Sequence, residues 1–455
     1  MQRVYISPDG SMCTVQFESV EYRLKIQCFF IFKKQKDLFH LFVFDMIFFD
    51  VLKKNCMSSQ GEESKTSVID NPRDADTNLP KARYGILGCA AVSSKIARAI
   101  NLDPNSKIVA VASRDIAKAK RFIDRNCPEG ALPCSYKDLI NNKDVDIVYI
   151  PIPTALRLPW VIKAIEQRKH VLCERPMGSP KAVEVIIPSC VAKKVQFMDG
   201  IQFMHHPRFK DLNEKIHQKK YSDNLEESNI RNNPDTEPLG VLGDLGSHNI
   251  RLSLWAFDYE QPLYVKAICH KRSKEGAIQD VSCWIFFDQD RVASFDCSYH
   301  NPLRQNAEIV GEKGTIEIRQ WSLPNEKQCF YTMQYSTLDS FDCTEHIITA
   351  RFNNCRQDVE MVHRMSRIHQ TGKNETIWPH VTLLTEKVLD ACRRSIDRSG
   401  QLVEFVKGQI PVGVQSLPNK KTRRLSAMGS MKSFQGISEL TEQYIQMVQE
   451  LETEK

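Results

Sequence analysis

The sequence predicts an α/β protein: a doubly wound parallel sheet of Rossmann type in its N-terminal half, then an α+β domain with a mostly antiparallel sheet. Three observations carry this. From residue 84 onward, short β-branched runs alternate with amphipathic helical patterns, which implies parallel strands joined by right-handed crossovers with helices on both faces. The first of these strands runs into small residues, Gly85-Ile-Leu-Gly88-Cys-Ala90, directly before a helix. After Asp258 the alternation stops, and longer strand-like runs follow one another without helices between them.

Taken in order, residues 84–89, 108–112, 145–150, 171–173 and 195–198 read as strands, and 94–102, 116–126, 136–141, 158–168 and 180–193 as the helices between them. These make up a nucleotide-binding domain over 81–203. Strands over 264–270, 281–288, 291–299, 307–311, 315–319 and 329–335 follow, in a second, α+β domain over 204–409. Helical spacing returns at 359–370 and 382–399, and the second of these helices is expected to pack back on the core. Residues 1–80 read as an N-terminal extension and lead-in, of which 55–79 are polar and expected to be flexible. Met57, at the composition break, is expected to be the initiator, which would make the preceding segment dispensable. Residues 410–455 read as a basic tail ending in an amphipathic stretch in which Ile437, Leu440, Tyr444, Val448 and Leu451 share a face. The sequence contains no internal repeat.

Composition narrows the function. The 455 residues exceed what one core fills, and 42% hydrophobic with 26% charged residues is globular. A formal charge of +6, concentrated in runs such as 33–36 and 420–424, does not call for nucleic acid, and no nucleic-acid motif accompanies it. The 15 cysteines lack paired metal-ligand spacing, so no metal is expected and a reducing, cytoplasmic setting is the simpler reading. The Phe-rich run 38–52 is too short to span a membrane and carries Asp45 and Asp50, and charges at 33–37 exclude a secretory signal.

The chemistry is concentrated at strand ends. At the first turn, Gly85, Gly88 and Ala90 let the backbone approach a pyrophosphate, whose charge is met by free amides at the following helix N-terminus. Ala90 stands where the usual fingerprint has its second glycine. The second strand ends in Ser113-Arg114, where an enzyme selective for NAD would present a carboxylate; a hydroxyl and a guanidinium suit the 2′-phosphate of NADP. The alternative is that Arg114 is an exposed turn residue, with NAD as the less favoured cofactor. The fourth strand ends in Pro151-Ile-Pro153-Thr154, and the fifth runs into Cys173-Glu174-Arg175-Pro176.

With Asp199-Gly200, Met204-His-His-Pro-Arg208 and Gly243-Asp244-Leu-Gly-Ser-His248-Asn-Ile-Arg251, these motifs resemble the Gfo/Idh/MocA oxidoreductase family over about residues 84–406. The likeness is strongest to its plant-type uncharacterised branch and more distant to dihydrodiol and xylose dehydrogenases. The resemblance implies hydride transfer between a nicotinamide and a sugar, polyol or related hydroxyl or carbonyl carbon of a small-molecule substrate. It places Pro151, Pro153 and Glu174 beside the cofactor, and makes a homo-oligomer through the open sheet face plausible. By matching motif, Arg175 stands where the family has lysine, Asp244 matches the motif's aspartate, and His248 falls where the family has His or Tyr. A histidine titrating near neutrality suits the base that alcohol oxidation requires.

Three departures count against a fully active enzyme, and Arg175 and the shortened second domain motivate a competing reading, a catalytically silent NADP-binding sensor or interaction protein. Arg175 cannot release a proton as lysine can. Arg157 stands where relatives often have histidine. Between Arg208 and Gly243 the resemblance calls for a longer segment with the opening strand of the second sheet, where this chain has only the polar stretch 213–238. In the tail, Arg423-Arg424-Leu-Ser426 resembles a basophilic kinase site.

Overall fold

The computed structural model describes residues 79–405 except 217–236, 303, 312–313 and 340–341, together with strands at 2–6, 12–17, 28–29 and 66–70. The initiator expected at Met57, the amphipathic stretch expected in the tail and the kinase-like site lie outside the described residues.

Two compact units are present, 1–62 and 63–455. In the first, β1 (Gln2–Ile6), β2 (Met12–Phe17) and β3 (Cys28–Phe29) form a small antiparallel sheet in that order. The second unit opens with β4 (Thr66–Asp70). The alternating pattern then folds as expected, into β5 (Ala82–Leu87), α1 (Ala91–Leu102), β6 (Ser106–Ala112), α2 (Ile116–Asn126), β7 (Leu132–Cys134), α3 (Tyr136–Asn141), β8 (Ile147–Ile150), α4 (Thr154–Glu166), β9 (His170–Cys173), α5 (Pro180–Lys193) and β10 (Phe197–Asp199). The six strands form one parallel sheet, order β10-β9-β8-β5-β6-β7. Its central strands are buried on both faces, which explains why they read as near-continuous apolar runs. Local chemistry sets the helix starts. Asp115 caps α2 by accepting from Ala117 N at 2.8 Å, and Ser179 caps α5 with Pro180 at its first position. The short β7 went unread, because three residues carry no periodicity.

After α6 (Pro207–Ile216) and α7 (Ser247–Ala256), the strands expected in one antiparallel sheet divide between two. The first is β13-β12-β11-β18, built from β11 (Tyr264–Arg272), β12 (Ile278–Phe286), β13 (Val292–Ser298) and β18 (Val403–Glu404). The second is β14-β15-β16-β17-β4, from β14 (Asn306–Gly311), β15 (Gly314–Arg319), β16 (Gln328–Asp339) and β17 (Asp342–Asn353) with β4. Within the stretch 55–79, read in the sequence as flexible with almost nothing to bury, Thr66–Asp70 pairs in parallel with Thr349–Asn353 and covers the β17 edge. The backbone groups along this edge of β17 are therefore paired.

Two helices return to the nucleotide-binding domain. Val359, Val362, Met365 and Ile368 of α8 (Gln357–Thr371) join the core beneath β5 and α1, and Tyr84 Oη meets Ser366 Oγ at 3.0 Å. Helix α9 (Ile377–Asp397) contributes Trp378 and Val381 to that core and Val388, Leu389 and Cys392 to the core under the four-stranded sheet. The helix expected at 382–399 thus packs on both domains. Between them, the buried Arg251 of α7 donates to Asp199 at the end of β10 (Nη2 to Oδ2, 2.5 Å), and Thr382 Oγ1 donates to the same carboxylate at 2.8 Å. This linkage fixes the second domain against the carboxyl end of the parallel sheet, where ligands of such sheets bind.

Candidate active site

A cleft of about 790 Å³ opens at that end. Its walls include Ala90, Arg114, Pro151, Pro153, Glu174, Arg175, Asp244 and His248, so eight of the eleven residues singled out in the sequence come together. The other three, Gly85, Gly88 and Ser113, do not line it. Gly85 lies inside β5, where a Cβ would meet Leu139 and Val145 at 3.0 Å; it is a packing position. Gly88 shapes the turn from behind, with φ +122° and Ile152 only 3.0 Å from where a Cβ would lie. The Ser113 hydroxyl is buried and accepts from Asp115 N at 3.2 Å, so it closes the turn into α2.

At the start of α1, Ala90 N donates to Ser93 Oγ at 3.0 Å, and that hydroxyl donates to Gly88 O at 2.8 Å. The turn is thereby locked with Ala90, Ala91 and Val92 on the cleft wall, at the end of a helix whose first amides have no intrahelical acceptor. The cradle that Gly88 permits and this helix terminus fit a dinucleotide pyrophosphate. Arg114 and Lys118 line the outer end of the same cleft; both are exposed, and neither forms an ion pair among the described residues. Lys118, one helical turn beyond Arg114, was missed in the sequence because a lysine on an exposed helix face carries no distinguishing pattern.

At the inner end, Arg175 Nε donates to His248 Nε2 at 2.8 Å. An imidazole nitrogen that accepts carries no proton, so the ring is neutral with its hydrogen on Nδ1. Arg175 Nη1 lies 3.5 Å from Glu174 Oε2 and 3.7 Å from Asp244 Oδ1. Burial pulls the Arg175 pKa down, but the carboxylates of Glu174 and Asp244 outweigh it and hold the pKa above its ordinary value. Glu174 is itself buried, accepting from Tyr149 Oη at 2.9 Å, and sits where a Cβ on Gly200 would strike it at 2.8 Å. Asp244 lies on a single π-helical turn, Leu242–Gly246, that runs straight into α7 and its His248. Gly243 in that turn lets Pro176 approach, since a Cβ there would lie 3.3 Å from Pro176 Cγ.

Arg157, read in the sequence as a departure from histidine, clamps two loops. Nearly buried, it donates to Ile152 O at 2.7 Å, Thr154 Oγ1 at 2.8 Å and Pro176 O at 2.5 Å. It ties the Pro151–Pro153 loop to the Glu174–Pro176 loop. Glu237 accepts from Thr154 N and Oγ1, at 3.3 and 2.6 Å, and closes the same corner. Lys95, Gln202, Trp321 and Gln357 also line the cleft and were not singled out, because they stand outside any motif. Among the described residues no cluster of His, Cys, Asp and Glu is arranged to hold a metal, and no helix is long and apolar enough to cross a membrane.

Fold and cleft together define an oxidoreductase of the NAD(P)-binding class. Residues 82–201 match the model of the oxidoreductase family with an NAD-binding Rossmann fold, and 215–317 match the GFO/IDH/MocA C-terminal domain. The chain belongs to the Gfo/Idh/MocA family. It is 26% identical to an uncharacterised oxidoreductase of Rhizobium meliloti, over 70% of this chain and 97% of that protein. It is 27% identical to the mouse trans-1,2-dihydrobenzene-1,2-diol dehydrogenase, over 54% and 76%. Among solved structures, a 3-ketoreductase from Actinomadura kijaniata in complex with NADP and TDP-benzene shares the fold with a TM-score of 0.62. It is 21% identical over 70% of this chain and 98% of that one. A levoglucosan dehydrogenase in complex with NADH and levoglucosan shares it with a TM-score of 0.61, at 14% identity over 71% and 99%.

Proposed function

We propose that the protein is an NADP-dependent oxidoreductase that interconverts a hydroxyl and a carbonyl carbon of a sugar, polyol or related small molecule. One observation carries the reading: a single cleft joins a pair of exposed cations without ion-pair partners among the described residues, Arg114 and Lys118, to a neutral histidine held by an arginine between two carboxylates. The residues fit a dinucleotide, with Ala90 to Val92 at the pyrophosphate, Pro151 and Pro153 along its length, and Arg114 with Lys118 at a 2′-phosphate. When bound, the nicotinamide supplies the hydride acceptor or donor.

The chain's own residues handle the proton. Arg175 keeps His248 neutral with Nε2 unprotonated, which is the form a base needs. The same contact occupies the lone pair, so a substrate hydroxyl must take the place of Arg175 Nε. Asp244, 3.7 Å from Arg175 Nη1, offers the guanidinium a second partner when it yields. Substrate entry and release of the Arg175–His248 contact are then one event, and Arg175 acts as a positioning and charge-stabilising group.

The same 2.8 Å contact also favours the silent reading, in which Arg175 never leaves His248. Absorbance at the nicotinamide band, followed with NADP⁺ and a panel of sugars, polyols and dihydrodiols, decides between them. Turnover that disappears in His248→Ala supports the oxidoreductase. NADPH binding without hydride transfer to or from any member of the panel, in the native chain and in Arg175→Lys alike, establishes the silent protein.

A further inference from the structure

Resting on that reading, we infer that the cleft contains a second polar subsite, formed by Lys95 and Gln357, that takes a substrate carrying an anionic group in addition to its hydroxyls. Lys95 stands on the second turn of α1 and lines the cleft. Its ammonium is half-buried and donates to Gln202 Oε1 at 2.6 Å, a neutral acceptor, and no carboxylate lies within ion-pair reach among the described residues. Burial pulls its pKa down, opposed from a distance by Asp358, Glu174 and Glu326. An ammonium has three donor hydrogens, and Gln202 uses one.

Gln357 lines the cleft at the first turn of α8, the helix that packs against α1. It is 6% exposed, and its Nε2 donates to Ser322 O at 2.7 Å, which fixes the orientation of the amide. Its Oε1 is thereby committed as an acceptor, and it is buried without a partner among the described residues. A buried carbonyl oxygen left unpaired costs roughly 1–3 kcal/mol, a cost that a ligand hydroxyl removes. Lys95, a half-buried cation with spare donors, and Gln357, with a buried acceptor, thus both line the cleft that also holds His248 and Trp321. Together they match a molecule that gives a hydroxyl proton to Gln357 and receives from Lys95 through a carboxylate or phosphate. A neutral sugar's hydroxyls accept from the ammonium but leave its charge without an anion. Sugar acids, and sugars bearing a phosphate, are the substrate classes this chemistry selects.

The anion could instead be the cofactor's own pyrophosphate, because side chains on a helix lean toward its N-terminus, here the terminus at Ala90 to Val92. Titration separates the two. D-glucuronate and D-glucose are added to the full chain saturated with NADP⁺, and NADPH is titrated separately by its fluorescence. The expected result is that glucuronate binds about tenfold or more tightly than glucose, the worth of one charge-assisted hydrogen bond. Lys95→Met should abolish that preference, Lys95→Arg should keep it, and NADPH affinity should stay within twofold in both. Equal binding of the two sugars, or binding of neither, by a protein that still binds NADPH overturns the subsite and leaves the cofactor reading intact. Loss of NADPH affinity in Lys95→Met with the sugar preference unchanged also overturns it and assigns Lys95 to the pyrophosphate. Failure of the native chain to bind NADPH refutes the proposed function itself.

Discussion

Glu386 gives a sharp test of how the site is built. It lies on α9, 3% exposed, where its Oε1 accepts from Met177 N at 2.6 Å and its Oε2 is buried without a partner among the described residues. It thus anchors the segment that carries Arg175 and Pro176. Burial pushes its carboxyl up to about 7 from an ordinary 4.5, with Asp199 adding to the shift while the Met177 amide, Arg157 and Arg251 oppose it. Because the folded pKa lies above the unfolded one, the fold favours the neutral acid. Its contribution is complete below about 4.5 and is lost as pH rises to 7 and beyond. A shift of that size corresponds to about 3 kcal/mol at alkaline pH. Glu386→Gln keeps a carbonyl for Met177 N and removes the charge. The variant should match the native chain in thermal unfolding at pH 4.5 to 5 and melt several degrees higher at pH 8. A variant that is equally or less stable than the native chain at pH 8 would show that the carboxylate is compensated in the fold, and the reasoning would fail.

Other perturbations have equally definite outcomes. Arg251→Met leaves Asp199 buried and without its cation, and should cost about 3–5 kcal/mol in denaturant unfolding. Gly88→Ala demands φ +122° of a residue with a Cβ and presses on Ile152; a loss of about 1–3 kcal/mol should appear together with weaker cofactor binding. Removing residues 1–72 takes β4 from the edge of β17, so light scattering should show self-association that a chain beginning at Met57, which retains β4, does not show.

The nucleotide-binding half was legible because every signal agreed: strand runs, helix periods and caps alternate at regular spacing, and α2, α3 and α5 fall at their expected limits. The second half was less so. Its strands were found singly, but their division into two sheets depends on long-range pairing that alternation does not encode, and β17 was missed. The role of β4 was hidden by composition, since its five residues sit in a polar stretch and owe their conformation to the β17 edge. At the site, motif residues such as Glu174, Arg175, Asp244 and His248 were readable because chemistry fixes their types and order. Lys95, Lys118 and Gln357 were not, because a single polar residue on a helix looks the same whether it faces solvent or a cleft. Arg157 was read as a departure from histidine, whereas its contacts show a clamp between two loops of the cleft.

The central claim is that one cleft binds NADP through the Arg114 end and reacts at the His248 end. Fluorescence titration of the full chain with NADPH and NADH tests it most directly, repeated on Arg114→Ala and Lys118→Ala. The account requires NADPH to bind more tightly than NADH by at least tenfold, and each substitution to weaken NADPH while leaving NADH unchanged. Equal affinity for the two cofactors, or NADPH binding indifferent to both substitutions, would contradict it.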